Sequence, residues 1–252
     1  NKFEVFLTAK EAGINIGVMS ALIQAGALEG FDISRTLLVY EAQLWNLLTD
    51  REKMYIAKDN FKFAEKHNFN LVKILKSLDE VKTTTAKGKL TRFLRETRLN
   101  TLRTKAAPYK EIFDMNSKNK DLANWYYEKH FLGYTYHTTL QNLFKSNQNV
   151  RDVDNSFIDE RVKFMAWVEE ASKSKSRSGN AYLRLTLSDE KAEIKTMIFT
   201  TKMRNCEENN GRLPAKSDIV EVIGTKKDGV VFADSIKIAD VTIYTKLSEL
   251  KG

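Results

Sequence analysis

The sequence predicts a multi-domain α+β protein, with an all-helical region over residues 1–150 and a small five-stranded β-barrel over residues 157–252. Three observations predict this division. In the first part, apolar residues recur at intervals of three and four, the period of an amphipathic helix. Beyond residue 156 the apolar period changes to two, which is typical of strands. Between them, residues 145–156 are polar and aperiodic, so we place the linker there.

Three apolar stripes predict helices in the first part. These stripes are Val18, Leu22 and Ile23; Leu37, Leu38, Leu44, Leu47 and Leu48; and Leu71, Ile74, Leu75 and Leu78. Ser34 and Asn70 precede two of them and are predicted N-caps. Four glycines lie within the first thirty residues: Gly13, Gly17, Gly26 and Gly30. They predict short helices joined by tight turns, including one helix over about 16–24 that ends at Gly26.

Five strands are predicted in the second part, near 162–168, 182–187, 194–199, 218–225 and 230–238. A Lys-Asp-Gly turn separates the last two strands, and a short helix fits near 200–209. Five strands with a helix between the third and the fourth is the order of the OB-fold, a Greek-key barrel. A generic five-stranded barrel of the SH3 type is the alternative, and the inserted helix argues against it.

Strand alternation divides the barrel side chains into two sets. The inward set is aliphatic: Val162, Phe164, Ala166, Val168, Leu183, Leu185, Leu187, Ile194 and Ile198. The outward set on the first three strands mixes aromatic and cationic side chains: Lys163, Met165, Trp167, Tyr182, Arg184, Lys195, Met197 and Phe199. Single-stranded nucleic acid is bound in this way, because cations contact phosphates while rings stack on bases.

The loop between the first two strands, residues 172–179, adds three cations: Lys173, Lys175 and Arg177. It contains no acid, so we expect it to close over a backbone phosphate. In the alternative interpretation, Trp167, Tyr182 and Phe199 pack against the helical half and this loop is a solvated turn.

Residues 82–105 hold eight cations and one acid, a net charge of +7 in a chain of net charge +8. The candidates for phosphate contact here are Lys87, Lys89, Arg92, Arg95 and Arg98. The three arginines are spaced by three, which would place them on one side of a helix. Such a stripe displaces counterions from duplex DNA. The alternatives are a solvated helix and an amphipathic membrane attachment, and the thin apolar side argues against the latter.

Residues 11–31 are rich in glycine, and backbone amides at a helix N-terminus can hold a phosphate. Gly13 and Gly17 are therefore further nucleic-acid candidates. Within this segment, Leu22-Ile23-Gln24-Ala25-Gly26-Ala27-Leu28-Glu29 resembles the end of the tandem helix-hairpin-helix region of bacterial DNA polymerase III alpha subunits. Downstream, Trp125–Tyr134 resembles the Leu-Gly segment that precedes the OB domain of that family. The absence of a proline after it suits a divergent or phage-encoded member.

The resemblance implies a parent nucleotidyltransferase that uses Mg²⁺ and dNTPs on a palm domain upstream, and the start at Asn1 rather than Met agrees with a piece of a longer protein. We expect no catalytic residue, metal site or cofactor in this chain. Its acids are scattered, and His67, His130 and His137 lack metal-ligand spacing. With Cys206 as the only cysteine, disulfide frameworks and cysteine-based zinc sites are excluded.

The family also binds a sliding clamp through a short peptide, which is implied here at Tyr109–Phe113, with Ile112 and Phe113 as anchors, or at Thr139–Phe144. The sequence thus predicts a cytoplasmic, non-catalytic DNA-binding part of a replicative polymerase, gripping single-stranded template and duplex backbone without membrane contact. One alternative is a protein-interaction scaffold that docks on the clamp or another replisome protein. Another is the OB module of an RNA enzyme.

Overall fold

The computed structural model describes residues 1–84 and 86–239. The described chain forms two compact units, one of residues 1–127 and one that begins at Glu128. The first unit is helical, as predicted. Its helices are α1 Lys2–Glu11, α2 Ile16–Gln24, α3 Arg35–Asn46, α4 Asp50–Glu65, α5 Leu71–Glu80 and α6 Glu96–Lys118, with a 3-10 turn at Glu29–Phe31. Helix α7, Lys120–Leu132, contains the junction between the units.

Side-chain caps begin most of these helices. Asn70 accepts a hydrogen bond from the Lys73 amide at 3.0 Å, as an N-cap should, whereas Ser34 occupies the N-cap of α3 without a side-chain bond. Gly26, at φ +96°, follows α2 in the left-handed region that glycine adopts at little cost. Helix α4 is interrupted at Lys58–Phe61, where the backbone leaves helical geometry.

The core of the first unit is aromatic. Phe3 stacks on Trp45 with ring centroids 4.9 Å apart, and both side chains are buried. Glu41 is buried beside them, where it pairs with the Lys2 ammonium and accepts the Leu71 amide at 2.8 Å. A buried carboxylate requires this compensation, because an unpaired charge is costly to desolvate.

The basic stretch differs from its prediction. Two short strands, β1 Lys82–Thr84 and β2 Leu90–Arg92, pair in antiparallel fashion and are called the hairpin here, and α6 begins only after Arg95. Arg92 therefore lies on a strand, Arg95 is an N-cap and Arg98 is helical, so the prediction that the three share one side of a helix is wrong. The threonine-rich run explains the difference, because threonine favours strands over helices.

The second unit is an OB-fold, and the predicted fold class is confirmed. Its strands and inserted helix are β3 Arg161–Lys175, β4 Ala181–Ser188, β5 Glu193–Phe199, α10 Thr200–Asn210, β6 Ile219–Lys227 and β7 Val230–Ile238. These strands close a barrel in the order β3-β4-β5-β7-β6, in which β5 and β7 are parallel. The predicted inward side chains of the strands fill its core.

The predicted linker 145–156 lies inside the second unit. It contains the short helix α9, Val150–Asp154, which follows α8, Leu140–Phe144. Val150 and Val153 are fully buried in the barrel core, so this segment packs into the barrel and is not an exposed linker. Among the described helices, none combines the length and the apolar character that crossing a bilayer requires.

Candidate nucleic-acid interface

Three aromatic rings form a contiguous row on the outer face of β4, β5 and β7. Tyr182 on β4 is the registered neighbour of Phe199 on β5, with ring centroids 6.0 Å apart. Phe199 meets Phe232 on β7 edge-on at 5.1 Å. Phe199 is 41% exposed, and the other two are partly exposed, so the row is accessible to a planar ligand.

Phe232 is absent from the sequence prediction, although the signal for it exists. Its neighbours Val231 and Ala233 are buried in the barrel core, so alternation places Phe232 outside. The predicted outward set covers only the first three strands. The parallel pairing of β5 with β7, which sets Met197 beside Phe232, is what joins it to the other two rings.

Exposed cations lie on the same face as the rings. Arg184 lies on β4 with Tyr182 and is registered with Met197, and Lys195 lies on β5 with Phe199 and is registered with Thr186. Within the described residues neither cation has an ion-pair partner. Two exposed acids share this face by register, since Glu170 is opposite Thr186 and Glu193 lies two residues before Lys195 on β5.

The predicted cationic loop is largely strand. The β3–β4 ladder continues to the pair Lys175–Ala181, so Lys173 and Lys175 lie on a rigid extension rather than in a loop. The tip is a tight turn in which the Ser176 amide donates to the Asn180 carbonyl at 2.8 Å, with Gly179 at φ +82°. Arg177 is exposed at this tip. The register pairs Lys173 with Leu183 and Lys175 with Ala181, and it is Ser174 that lies opposite Tyr182. Because directly opposed residues share a face, Lys173 and Lys175 lie on the other face of this ladder from Tyr182.

Two predicted members of the face do not belong to the accessible surface. Trp167 is 4% exposed and Met165 is 6% exposed, so neither ring nor thioether is open to a base. Lys163 is exposed, but its ammonium pairs with Glu221 at 3.0 Å across the β3–β6 ladder. The accessible rings therefore lie on β4, β5 and β7, and the first half of β3 adds none to this candidate face.

A partly buried ion pair fixes the strand beside this face. The Glu169 carboxylate accepts hydrogen bonds from the Lys129 ammonium at 2.7 Å and from the Ser188 hydroxyl at 2.5 Å. Burial acts to raise the pKa of Glu169, but these two bonds outweigh it and hold the pKa below its usual range. Glu169 therefore remains charged at neutral pH and adds no free negative charge near the rings.

The helical unit places its predicted candidates in several separate settings. Lys87, Arg92 and Arg95 are exposed on the hairpin or directly after it, and Lys89 has a partner there. Arg98 instead makes two bonds to the Glu52 carboxylate, at 2.7 and 2.8 Å, and one to the Leu47 carbonyl at 2.8 Å. These three bonds occupy the Arg98 guanidinium and stabilise the helical unit.

The glycine candidates lie at the two ends of one turn. Gly13, at φ +77°, follows α1, and Gly17 is in the first turn of α2, where Asn15 supplies the N-cap. Both are exposed.

The implied clamp peptide is helical. Ile112 lies within α6 and is 5% exposed, and Phe113 stacks on Tyr40 at 4.9 Å. In the second option, Leu140 is fully buried at the start of α8. A partner would have to unwind packed helices to reach these anchors.

Among the described residues, no group of three or more histidine, cysteine, aspartate or glutamate side chains is arranged to hold a metal ion.

No protein-family model matches the chain, and neither does any curated protein sequence. Among the solved structures that resemble it, two do so over 33% of its length. One is the mitochondrial single-stranded DNA-binding protein of S. cerevisiae, 97% of which is covered at 13% identity with a TM-score of 0.27. The other is the protein PriB of Ralstonia solanacearum, fully covered at 14% identity with a TM-score of 0.26. At these scores the resemblance carries no argument about function.

Proposed function

We propose that the barrel unit binds single-stranded DNA across the outer face of β4, β5 and β7. The observation that carries this proposal is the row of Tyr182, Phe199 and Phe232, flanked by Arg184 and Lys195. An exposed aromatic row gains nothing for folding, whereas each base stacked on a ring contributes about 1–3 kcal/mol. Because every base has a π-face, binding has little sequence preference.

The test is fluorescence anisotropy with a labelled oligothymidylate, using the full chain. We expect Phe199→Ala to weaken binding by about 1–3 kcal/mol, the contribution of one stacked base. The matched control is Phe157→Ala, because Phe157 is 84% exposed but lies before β3, outside the row. If both variants bind the oligothymidylate as tightly as the parent protein, the proposed binding face is wrong.

The polymerase context is a further part of the proposal. The order of the Leu22–Glu29 segment, the Leu-Gly segment and the OB-fold supports a role as the non-catalytic part of a replicative polymerase alpha subunit. In that role the hairpin cations would contact duplex backbone while the barrel holds the template strand. This chain, given Mg²⁺ and dNTPs, should leave a labelled primer unextended. Extension would contradict the assignment.

The scaffold alternative is favoured by a different observation. Phe157 and Ile158 are adjacent and 84% and 62% exposed, which makes them a compact apolar contact point. If the unit docks on a sliding clamp or another replisome protein instead of DNA, a Phe157→Ser, Ile158→Ser variant should lose binding to the purified clamp in a calorimetric titration. The anisotropy of the labelled oligothymidylate should then stay flat for the parent protein even at low salt.

A further inference from the structure

A cavity of about 290 Å³ lies in the helical unit, where the end of α1, the start of α2, the end of α3 and α4 meet. Its apolar wall includes Phe6, Met19 and Trp45, and its polar groups include Lys10, Asn15 and Lys53. This volume is at the lower end of the range of small-molecule sites, about 300–1,000 Å³. The cavity therefore accommodates a ligand of about one nucleotide or less.

Lys53 is the unusual member of this lining. It is 5% exposed, yet within the described part of the chain its ammonium has neither a hydrogen bond nor an ion pair. The nearby acids are already engaged, since Asp50 pairs with Lys10 at 3.0 Å and Glu52 with Arg98 at 2.7 Å. Lys53 therefore has no direct counterion among the described residues, although its ammonium keeps some contact with solvent and is attracted by Asp50 and Glu52. A largely buried lysine without a direct partner favours the approach of an anion.

The start of α2 supplies matching donors. The Asn15 side chain accepts the Val18 amide at 2.9 Å, and the Met19 amide bonds to the Asn15 carbonyl. In residues 1–84 and 86–239, the amides of Ile16 and Gly17 have no acceptor. First-turn amides and the positive end of the helix dipole favour an anion.

We propose that this cavity binds a phosphate group. The phosphate would accept from the Lys53 ammonium and from the Ile16 amide, both of which belong to residues that line the cavity, while the apolar wall contacts the body attached to it. This site is separate from the barrel face and does not depend on the function proposed for that face. The burial of Lys53, reinforced by the charge of Lys10, also lowers its pKa, against the pull of Asp50 and Glu52, which agrees with a missing counterion.

Calorimetric titration of the full chain with inorganic phosphate and with thymidine 5′-monophosphate tests the site. We expect Lys53→Met to weaken both by at least about tenfold, because it removes the buried charge that pairs with the ligand. Lys73→Met is the matched control, since Lys73 is an exposed lysine on α5 outside the cavity. Failure of both ligands to bind the parent protein, or equal affinity in the parent and Lys53→Met, would overturn the proposal.

A second variant separates the site from the fold. Ile16 is the first residue of α2, a position that tolerates proline, and Asn15 before it has the extended backbone that a following proline requires. Ile16→Pro removes one amide donor while keeping the helix, so we expect it to weaken phosphate binding while circular dichroism stays unchanged. Unchanged phosphate affinity with a native spectrum would count against the amide contact and the proposal.

The source of the phosphate follows from a third titration, with the labelled oligothymidylate. If Lys53→Met also weakens binding of the oligonucleotide, the cavity holds a phosphate of the nucleic-acid backbone. If Lys53→Met weakens binding of the mononucleotide alone, the ligand is a free nucleotide. Both outcomes support the site. Phe199→Ala should leave the inorganic phosphate titration unchanged, which keeps this site distinguishable from the barrel face.

Discussion

Two regions of this protein are rich in lysine and arginine, but the contacts that these side chains make differ between the regions. On the barrel, Arg184 and Lys195 lie on the same two strands as Tyr182 and Phe199 in a closed sheet, and neither has an ion-pair partner in the described chain. In the helical unit, the densest run of cations spans a two-stranded hairpin and the start of α6. There Arg98 pairs with Glu52. The ring that directly follows β2, Phe93, is buried and contacts Tyr55, so it is not an exposed ring beside the hairpin cations.

The difference teaches that charge density alone does not identify a binding surface. The stretch 82–105 has the higher net charge, but its arginines diverge in secondary structure and one of them stabilises the fold. The barrel face has fewer cations, and a ladder with fixed register holds them beside the rings. Single-strand affinity should therefore depend mainly on the barrel, and helical-unit stability on Arg98.

The largest effect is expected from Gly224→Ala. A Cβ at this bulge in β6 would lie 2.4 Å from the Phe232 carbonyl oxygen and 2.9 Å from the Ala233 Cα. Both atoms belong to backbone, so β7 must shift, and we expect a loss of about 3 kcal/mol in unfolding free energy. Urea denaturation checks the stability and anisotropy checks the affinity, which should fall because Phe232 moves.

Gly30→Ala is the control for that change, because a Cβ there meets nothing within 4 Å and its φ is not in the left-handed region. If Gly224→Ala denatures like the parent protein, the close approach of β6 and β7 is not a constraint on the face.

Next in size is Arg98→Met. It leaves the buried Glu52 carboxylate without its main partner, and we expect a loss of about 2 kcal/mol, below the ~3–5 kcal/mol of fully buried pairs because Arg98 is 24% exposed. Urea denaturation measures it. Single-strand affinity should be retained at concentrations where the protein is folded. A variant that kept its stability but bound the oligonucleotide more weakly would reverse the roles of the two regions.

The same pair predicts a pH dependence. Burial acts to raise the pKa of Glu52, but hydrogen bonds from Arg98 and Thr49 outweigh it and hold the pKa below its usual range. A carboxyl with a lowered folded-state pKa stabilises the fold above its unfolded pKa of about 4.3, and this contribution is lost as pH falls through the folded value. Unfolding free energy should decline less steeply in acid for Glu52→Gln than for the parent.

A smaller effect separates the regions by charge. For Arg184→Gln, Lys195→Gln, the slope of log affinity against log salt should become shallower by about 1.4, because each single-strand phosphate that no longer has its cation reduces the slope by about 0.7. Lys82→Gln, Arg92→Gln removes equal charge from the hairpin and should leave the single-strand slope nearly unchanged. Equal changes in both variants would mean that only net charge matters.

The smallest effect concerns the hairpin itself. Lys82 and Arg92 are directly opposite each other on β1 and β2, and like charges in that position repel. Lys82→Glu replaces the repulsion by attraction and should stabilise the hairpin by about 0.5 kcal/mol. Amide hydrogen exchange at Thr83 and Thr91 should slow accordingly, whereas faster exchange would show that the opposed cations are not a source of strain.

Much of the barrel could be predicted from the sequence because its strands obey one rule. Leu183, Leu185 and Leu187 alternate with polar residues, and the structure places all three in the core. The same rule does not specify what covers an outward side chain. For this reason alternation predicts an accessible Trp167, whereas that side chain is buried in the structure.

In the helical half, the sequence predicts the positions of the helices better than the contacts of the charged side chains. The spacing of Arg92, Arg95 and Arg98 fits a helix, but α6 begins only at Glu96, because the threonine run before it favours strand. Partners distant in the sequence also leave no local signal. The bond between Arg98 and Glu52 spans 46 positions, and the lack of a direct partner for Lys53 is recognisable only once its neighbours are placed.

The closure of the barrel limits how any partner can attach to it. Because β5 pairs with β7 and β3 with β6, each described barrel strand has neighbours on both sides. An open sheet edge offers unpaired backbone donors and acceptors to an incoming peptide, and in β3 such an edge is found at residues 170–175, which pair with β4 alone. Along the closed ladders strand addition has no template, so recognition there proceeds through side chains and surface substitutions can redirect it while the main-chain ladder stays intact.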